Sequence, residues 1–176
     1  MKQLRLSVII PCYNHGEYIL EAIESVKKSK ERNYEIIIIN DGSDDKKTIK
    51  ILKNLKKQGY NVIHQKNKGP SSARNNGIKI AKGKYLLLLD SDDKINPNLI
   101  KNGIEILDKN LEVGVVYGDY KYFGDKNDVM LLSEFDINSI LLSNYIPVCT
   151  VIRKKVWEDV GGFDVNLNKL IWEDWV

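Results

Sequence analysis

Short apolar runs alternate with longer amphipathic segments along the chain through residue 110. Each run is rich in β-branched residues or leucine, as is typical of strands that are buried on both faces. The predicted strands are 4–10, 35–39, 61–65 and 84–89. Apolar residues that recur at helical spacing predict helices at 19–30 and 46–58, and a proline at the first helical position predicts helices at 70–81 and 97–110. The alternation predicts an α/β fold with a mostly parallel central sheet flanked by helices.

The same spacing predicts which faces of these helices are buried. In the second helix it places Ile49, Leu52 and Leu55 toward the sheet. Asn96 and Pro97 are expected to cap and begin the fourth helix. Beyond residue 110 the pattern weakens. The remaining predicted elements are a strand at 113–120, a short strand at 148–153 and a short helix at 154–160.

Composition indicates one compact domain. The chain has 176 residues, of which 43% are hydrophobic and 29% are charged, so it has enough apolar surface for a core and lacks the bias of disordered chains. The net charge is only +3 and the lysines are spread over several helical faces, which disfavours a nucleic-acid partner. The chain has no apolar run long enough to cross a bilayer and begins with no cleavable signal pattern, so a soluble, cytoplasmic protein is expected.

The cysteines and histidines indicate neither a disulfide framework nor a zinc site. Cys12 and Cys149 are far apart in sequence and form no CxxC motif, which fits a reducing compartment. His15 and His64 each lack a neighbouring ligand at metal-binding spacing, so both are interpreted as ordinary polar residues.

Three loops at the carboxyl ends of predicted strands are rich in polar side chains. They are PCYNHGEY (11–18), NDGSDD (40–45) and DSDDKI (90–95). In an open parallel sheet these ends border the ligand crevice, so the three loops converge if their strands are neighbours. Several carboxylates in one crevice favour Mg²⁺ or Mn²⁺, and a phosphate or diphosphate usually fills the open positions of such a cation. The alternative is that DSDD is a polar turn after a buried strand.

Neither standard phosphate-binding loop is present. No GxGxxG motif follows the first strand, and the chain contains no GxxxxGKS or GxxxxGKT, which disfavours dinucleotide enzymes and P-loop nucleotide hydrolases. A nucleotide would therefore be held by a metal ion and by side chains. This arrangement favours a diphosphate that acts as a leaving group.

Five segments together resemble the family 2 inverting glycosyltransferases, which use nucleotide-sugar donors and have the GT-A fold. The segments follow the family's order and cover nearly the whole chain. They are SVIIPCYNHGEYILEAIESV (7–26), IIIINDGSDD (36–45), NKGPSSARNNGI (67–78), GKYLLLLDSDD (83–93) and GGFDVNLNKLIWEDW (161–175). The resemblance implies a single GT-A domain over 1–176, with a nucleotide-binding half at 1–95 and the start of an acceptor half at 96–176.

The resemblance assigns eight residues to the nucleotide site. Tyr13 would stack on the base and Asp41 would accept a hydrogen bond from a base N–H such as that of uracil. The alternatives are a packed Tyr13 ring and an Asx-type turn of Asp41 with Gly42 and Ser43. Arg74 would contact the nucleotide, or would instead bridge helix and sheet. The full set is Pro11, Tyr13, Asn14, Asp41, Lys68, Arg74, Asp90 and Ser91.

Asp90 and Asp92 match the family's Asp-x-Asp motif. The resemblance implies that Asp90 faces the ribose, that Asp92 binds the Mg²⁺ or Mn²⁺ bridging the diphosphate, and that Asp93 supports this metal. Inversion requires a base on the face opposite the leaving diphosphate. The resemblance assigns Asp174 as that base and Glu173 as an orienting or acceptor-binding group, and the alternative for this pair is a helix cap.

The expected activity is inverting transfer of a sugar from a nucleoside-diphosphate sugar, with UDP favoured, to a hydroxyl acceptor. The acceptors implied by the family are carbohydrates, lipid-linked molecules or proteins, in polysaccharide or glycoconjugate biosynthesis. Family members continue past the acidic pair, so the chain is expected to be truncated, with membrane contact only through a missing C-terminal part. Two alternatives stay open, a catalytically silent nucleotide-binding module and a sugar nucleotidyltransferase, although the latter normally has a Gly- and Arg-rich loop after the first strand.

Overall fold

A computed structural model describes residues 4–166 of the chain. Within this range the backbone forms a six-stranded main sheet and a separate two-stranded ribbon. The strands are β1 (Leu6–Cys12), β2 (Tyr34–Asp41), β3 (Asn61–Gln65), β4 (Tyr85–Leu88), β5 (Val115–Val116), β6 (Tyr120–Lys121), β7 (Val129–Met130) and β8 (Val151–Arg153). The helices are α1 (Ile19–Lys27), α2 (Lys46–Lys57), α3 (Pro70–Ile80), α4 (Pro97–Lys109), α5 (Ile137–Leu142) and α6 (Lys154–Val160).

The main sheet is mostly parallel, as predicted. Its strand order is β3-β2-β1-β4-β8-β5, so β1 lies between β2 and β4. The first four strands in this order are mutually parallel, whereas β8 is antiparallel to both of its neighbours. The carboxyl ends of β1, β2 and β4 therefore meet at one edge, which is the condition for their three polar loops to converge.

Both faces of the main sheet are covered along β1, β2 and β4, which explains why these strands are mostly apolar, whereas only one residue of the edge strand β3 is buried. Along β1, Val8 and Ile10 belong to the core on one face, while Ile9 belongs to the core on the other. The first core includes apolar residues of α1, α2 and α4, and the second includes Ala73 and Ile78 of α3. Because side chains alternate along a strand, a continuous apolar run is needed to supply both cores.

The prediction that Ile49 is buried in α2 is wrong. This side chain is 40% exposed, and Thr48 takes the inward position with Leu52 and Leu55. Residues 48, 52 and 55 are spaced by four and three positions and so share one face of the helix. The hydroxyl of Thr48 accepts a hydrogen bond of 2.9 Å from the backbone N–H of Gly16, so its polar atom is satisfied inside the protein.

The predicted strand at 113–120 is also wrong in its extent. Only Val115–Val116 pairs with β8, which is itself three residues long. The chain then leaves the sheet, and Tyr120–Lys121 pairs with Val129–Met130 in the ribbon. The helix Ile137–Leu142 was not predicted, because its six residues are fewer than the window over which helical periodicity can be recognised, and none of them is buried.

Candidate functional site

The three polar loops border one cavity at the carboxyl edge of the sheet. Its volume is about 540 Å³, a size typical of small-molecule sites. Seven of the ten residues predicted for nucleotide and metal line it. They are Pro11, Tyr13, Asp41, Arg74, Asp90, Ser91 and Asp92. The structure thus brings together side chains from 11–13, 41, 74 and 90–92 that are distant in sequence.

Asp41 holds the loop between β3 and α3 in place. The carboxylate is 4% exposed, and one of its oxygens accepts hydrogen bonds of 2.8 Å from the backbone N–H of Lys68 and of 2.8 Å from the side chain of Gln65. The other oxygen accepts one from the backbone N–H of Gly69 at 2.9 Å. The Asx-type turn considered for Asp41 belongs instead to Asn40, whose side-chain oxygen accepts from the N–H of Ser43 at 2.9 Å.

Asn14 joins the loop after β1 to the loop after β2. Its side-chain oxygen accepts from the backbone N–H groups of Asp44 and Asp45 at 3.1 and 3.0 Å, and its amide donates to the Asp44 carboxylate at 2.7 Å. The backbone has a φ of 57°, a conformation that asparagine tolerates better than most residues. The side chain is directed to this contact between loops and does not line the cavity. Neither does Lys68, which is exposed.

Tyr13 lies at the rim of the cavity. Its side chain is 45% exposed, so the ring is open to a partner on at least part of its surface rather than packed in the core. His15, interpreted from the sequence as an ordinary polar residue, also lines the cavity. Its Nδ1 lies 3.6 Å from a carboxylate oxygen of Asp92. Nothing in the linear pattern connects residues 15 and 92, because their proximity depends on the pairing of β1 with β4.

Arg74 is buried beneath the cavity. Only 3% of its side chain is exposed, and its guanidinium donates a hydrogen bond of 2.9 Å to the carboxylate of Asp90. This contact joins α3 to the end of β4, which is the bridging role considered for Arg74. The same side chain lines the cavity, so its positive charge is also part of the site.

The carboxylates after β4 repel one another. Burial, together with the charges of Asp90 and Asp92, raises the pKa of Asp93 from 3.8 to about 6. A hard divalent cation prefers carboxylate oxygens and would offset this repulsion, so the residues present fit Mg²⁺ or Mn²⁺ in charge and in donor type. Within residues 4–166, no cluster of three or more His, Cys, Asp or Glu side chains has metal-binding geometry, so other ligands would have to come from the nucleotide.

A second cavity of about 1060 Å³ adjoins the first and shares Asp92 with it. It lies between the start of α4 and the ribbon of β6 and β7, and Asp93 is among its lining residues. Three aromatic side chains of the ribbon segment, Tyr120, Tyr122 and Phe123, also line it. No residue of this ribbon was predicted to belong to a site.

The two cysteines are free thiols, and the surroundings of each favour the protonated form. Burial raises the pKa of Cys149 to about 12, with further contributions from Asp93 and Asp90. Burial also raises the pKa of Cys12. Both groups are therefore protonated at neutral pH, and a thiol is a poor nucleophile in that form. The predicted base Asp174 and its neighbour Glu173 lie outside the described residues.

Comparison with known proteins identifies the group to which the chain is related. The family model described as Glycosyl transferase family 2 matches residues 7–172. The chain belongs to this family. A Rickettsia bellii (strain RML369-C) protein named as a glycosyltransferase is 42% identical over 172 residues, which cover 95% of this chain and 24% of the relative. Glycosyltransferase GlyG of Streptococcus pneumoniae serotype 4 is 37% identical over 125 residues, which cover 70% of this chain and 41% of GlyG.

The fold of this family 2 chain matches that of solved GT-A glycosyltransferases. Staphylococcus aureus TarS, residues 1–349, aligns with a TM-score of 0.75 and 26% identity, and the match covers 97% of this chain and 53% of TarS. The chain thus spans between about a quarter and about half of the lengths of these relatives. Among the described residues there is no helix with the length and hydrophobicity needed to span a membrane.

Proposed function

We propose that the protein transfers a sugar, with inversion, from a UDP-sugar or a related nucleoside-diphosphate sugar to a hydroxyl acceptor. The observation that carries the proposal is the single cavity lined by Asp41, Arg74, Asp90 and Asp92, which brings polar groups from separate loops around one space. A second TarS structure, 25% identical to this chain with a TM-score of 0.73, is a complex with UDP-GlcNAc. That complex supports a nucleotide sugar as the donor for this chain.

The smaller cavity is proposed as the donor site. Tyr13 offers a partly exposed ring on which a base can stack. One carboxylate oxygen of Asp41 accepts a hydrogen bond from Gly69, whereas Gln65 and Lys68 donate to the other oxygen. The first oxygen therefore has a second lone pair for an imide N–H such as that of uracil. Among residues 4–166, those that line this cavity lie between positions 11 and 92, which supports a nucleotide-binding half at 1–95.

Asp92 and Asp93 are proposed to hold Mg²⁺ or Mn²⁺. When bound, the cation supplies charge that stabilises a leaving diphosphate. The guanidinium of Arg74 lies 2.9 Å from the carboxylate of Asp90 and fixes its orientation next to Asp92 and Asp93. The imidazole of His15 lies beside Asp92, with its Nδ1 3.6 Å from a carboxylate oxygen.

The larger cavity is proposed as the acceptor site, in the half of the chain at 96–176. Its aromatic residues offer flat apolar faces on which a sugar ring can pack, and the shared Asp92 brings donor and acceptor to one point. Asp174 is proposed as the base and Glu173 as the group that orients it or the acceptor. The acceptor is proposed to be a carbohydrate, a lipid-linked molecule or a protein, in polysaccharide or glycoconjugate biosynthesis at the cytoplasmic side of the membrane.

Calorimetry with UDP and GDP, with and without Mn²⁺, tests the donor site. UDP is expected to bind more tightly when Mn²⁺ is present, and Asp92→Ala is expected to remove that dependence. Asp125→Ala is the matched control, because it removes an exposed carboxylate of the ribbon loop. If neither nucleotide binds the folded protein, the proposal is wrong. This chain by itself is expected to bind the donor whether or not it transfers sugar. If UDP binds but the full-length protein transfers no sugar, a silent nucleotide-binding module is favoured instead.

A further inference from the structure

Asn75 connects the donor cavity to the turn that follows α6. It lies on α3 next to Arg74 and is 8% exposed. Its side-chain oxygen accepts hydrogen bonds of 3.0 Å from the indole N–H of Trp157 and of 3.0 Å from the backbone N–H of Phe163. Its amide donates to the carbonyl of Phe163 at 2.7 Å. One buried amide thus fixes both backbone polar groups of a residue that is 88 positions away in sequence.

The turn itself is shaped to receive this side chain. Gly161 ends α6 in the left-handed conformation, and Gly162 follows with a φ of +87°. A Cβ atom at Gly162 would lie 2.8 Å from the side-chain oxygen of Asn75 and 3.0 Å from the indole nitrogen of Trp157. Only glycine therefore combines this backbone conformation with room for the asparagine.

Arg74 contacts the same turn from the donor side. Its guanidinium carbon lies 5.9 Å from the centre of the Phe163 ring, within the range of a cation–π interaction, while the same group donates to Asp90. Arg74 thus contacts both Asp90 in the donor cavity and Phe163, and the adjacent Asn75 holds the backbone of Phe163. A ligand that changes the field around Asp90 acts on Arg74, and through it on the turn.

From these contacts we infer that Asn75 is a positioning residue, which with Arg74 couples occupancy of the donor cavity to the anchoring of the 161–163 turn. The inference rests on the proposed function, because it requires a nucleotide in that cavity. The chain that leaves this turn leads to Glu173 and Asp174, the proposed acceptor and base residues, and Asp174 is eleven positions after Phe163. Anchoring Phe163 restricts where that segment begins, and the coupling makes the restriction strongest when donor is bound.

Hydrogen–deuterium exchange of the Phe163 amide tests the coupling, since this N–H is donated to Asn75. In the unmodified chain, UDP with Mn²⁺ is expected to slow the exchange. In Asn75→Ala the exchange without ligand is expected to be faster by on the order of tenfold, because the amide has lost a buried acceptor. The variant is also expected to lose the slowing by UDP. Because the coupling is reciprocal, its UDP affinity, from calorimetry, is expected to fall by no more than the factor by which UDP slows the exchange in the unmodified chain.

Two further variants keep the test decisive. Gly162→Ala breaks the same contact from the other side and is expected to reproduce the Asn75→Ala result. Asn54→Ala removes an exposed asparagine of α2 and is expected to change neither the exchange nor its response to UDP. If Asn75→Ala does not fold, Gly162→Ala decides the question.

The outcomes separate this inference from the proposed function. If UDP binds but leaves the Phe163 amide unchanged, the coupling is wrong and the donor site stands. If the variants still show slowing by UDP, Asn75 has only a structural role. If neither UDP nor GDP binds, the proposed function fails, and the coupling fails with it.

Discussion

The guanidinium of Arg74 and the carboxylate of Asp90 form an ion pair at 2.9 Å, in which the arginine is almost completely buried and the aspartate is one-third exposed. The pair ties α3 to the end of β4, and the loop that follows β4 carries Asp92 and Asp93. A buried charge that loses its partner is much more costly than a surface charge that does so. The shape of the cavity floor therefore depends on this contact.

Arg74→Ala is expected to lower the free energy of unfolding by about 1–3 kcal/mol, because it leaves a cavity and removes the partner of Asp90. Urea denaturation measures the change. Lys79→Ala is the matched control, since it removes a positive charge from the exposed face of the same helix, and it is expected to stay within about 0.5 kcal/mol. Equal unfolding midpoints for the two variants would contradict the structural role of Arg74.

Asp41→Asn is expected to destabilise the protein by about 1–3 kcal/mol. The amide NH₂ of asparagine would replace one acceptor oxygen, and it would then face an N–H group that now donates to the carboxylate. The loop between β3 and α3 depends on three such donors, which come from Gln65, Lys68 and Gly69. Thermal unfolding provides the measurement. Asp125→Asn changes an exposed carboxylate and is the control. A melting temperature equal to that of this control would mean that Asp41 does not hold the loop.

Asp93 is expected to make the protein less stable as the pH rises from about 4 to about 6. Its pKa is about 6 in the folded state and 3.8 in the absence of perturbation, so between these values the folded state binds more protons than the unfolded state. Stability falls with pH wherever this is so. The loss is complete above pH 7, where Asp93 is ionised in both states.

Asp93→Asn removes this effect and is expected to raise the free energy of unfolding at pH 7.5, without divalent metal, by about 1–2 kcal/mol. Near pH 4 the variant and the unmodified chain are expected to differ little, and Mn²⁺ is expected to reduce the difference at pH 7.5. Urea titrations at several pH values measure the change. A difference that does not vary with pH would show that Asp93 is not strained by its neighbours.

Gly16→Ala is expected to displace the loop that carries Tyr13 and His15. A Cβ atom there would lie 2.5 Å from the Cα of Thr48, a backbone atom that no side-chain rotation can move away. We expect UDP affinity to fall by roughly tenfold, which corresponds to about 1.4 kcal/mol, as measured by calorimetry. Gly118→Ala is the control, because nothing lies within 4 Å of the added atom. Unchanged affinity in Gly16→Ala would mean that this loop does not bind the nucleotide.

The first four strands and the first four helices follow from local patterns. The strands β1, β2 and β4 are mostly apolar because both faces of the sheet are covered there, and α1, α2 and α4 each have one mainly apolar buried stripe. The buried face of α3 is largely polar, and the sequence marks this helix by Pro70 at its start. Pro97 begins α4 and Asn96 caps it by accepting from the N–H of Asn98, as expected from the sequence. The strand at 113–120 was predicted with the wrong extent, and the helix α5 was not predicted. Little of either segment is buried, so neither has a strong pattern of apolar residues.

The site was predictable only in part. The polar loops after β1, β2 and β4 could be found from the sequence, because a strand that ends in polar residues marks the edge of a sheet. Their convergence could not, since it follows from β1 lying between β2 and β4. For the same reason the sequence did not predict that His15 lies near Asp92. It also did not predict that the ribbon borders the larger cavity.

By itself the sequence determined the element types, the apolar strands and the acidic loop after β4, because these depend on the order of residues along a few turns of chain. The tertiary structure alone decided that Asp41 accepts from Lys68 and Gly69, and that Asn75 binds Phe163. Hydrogen bonds between residues far apart in sequence depend on how strands and helices pack, and a short window of residues holds no information about that packing.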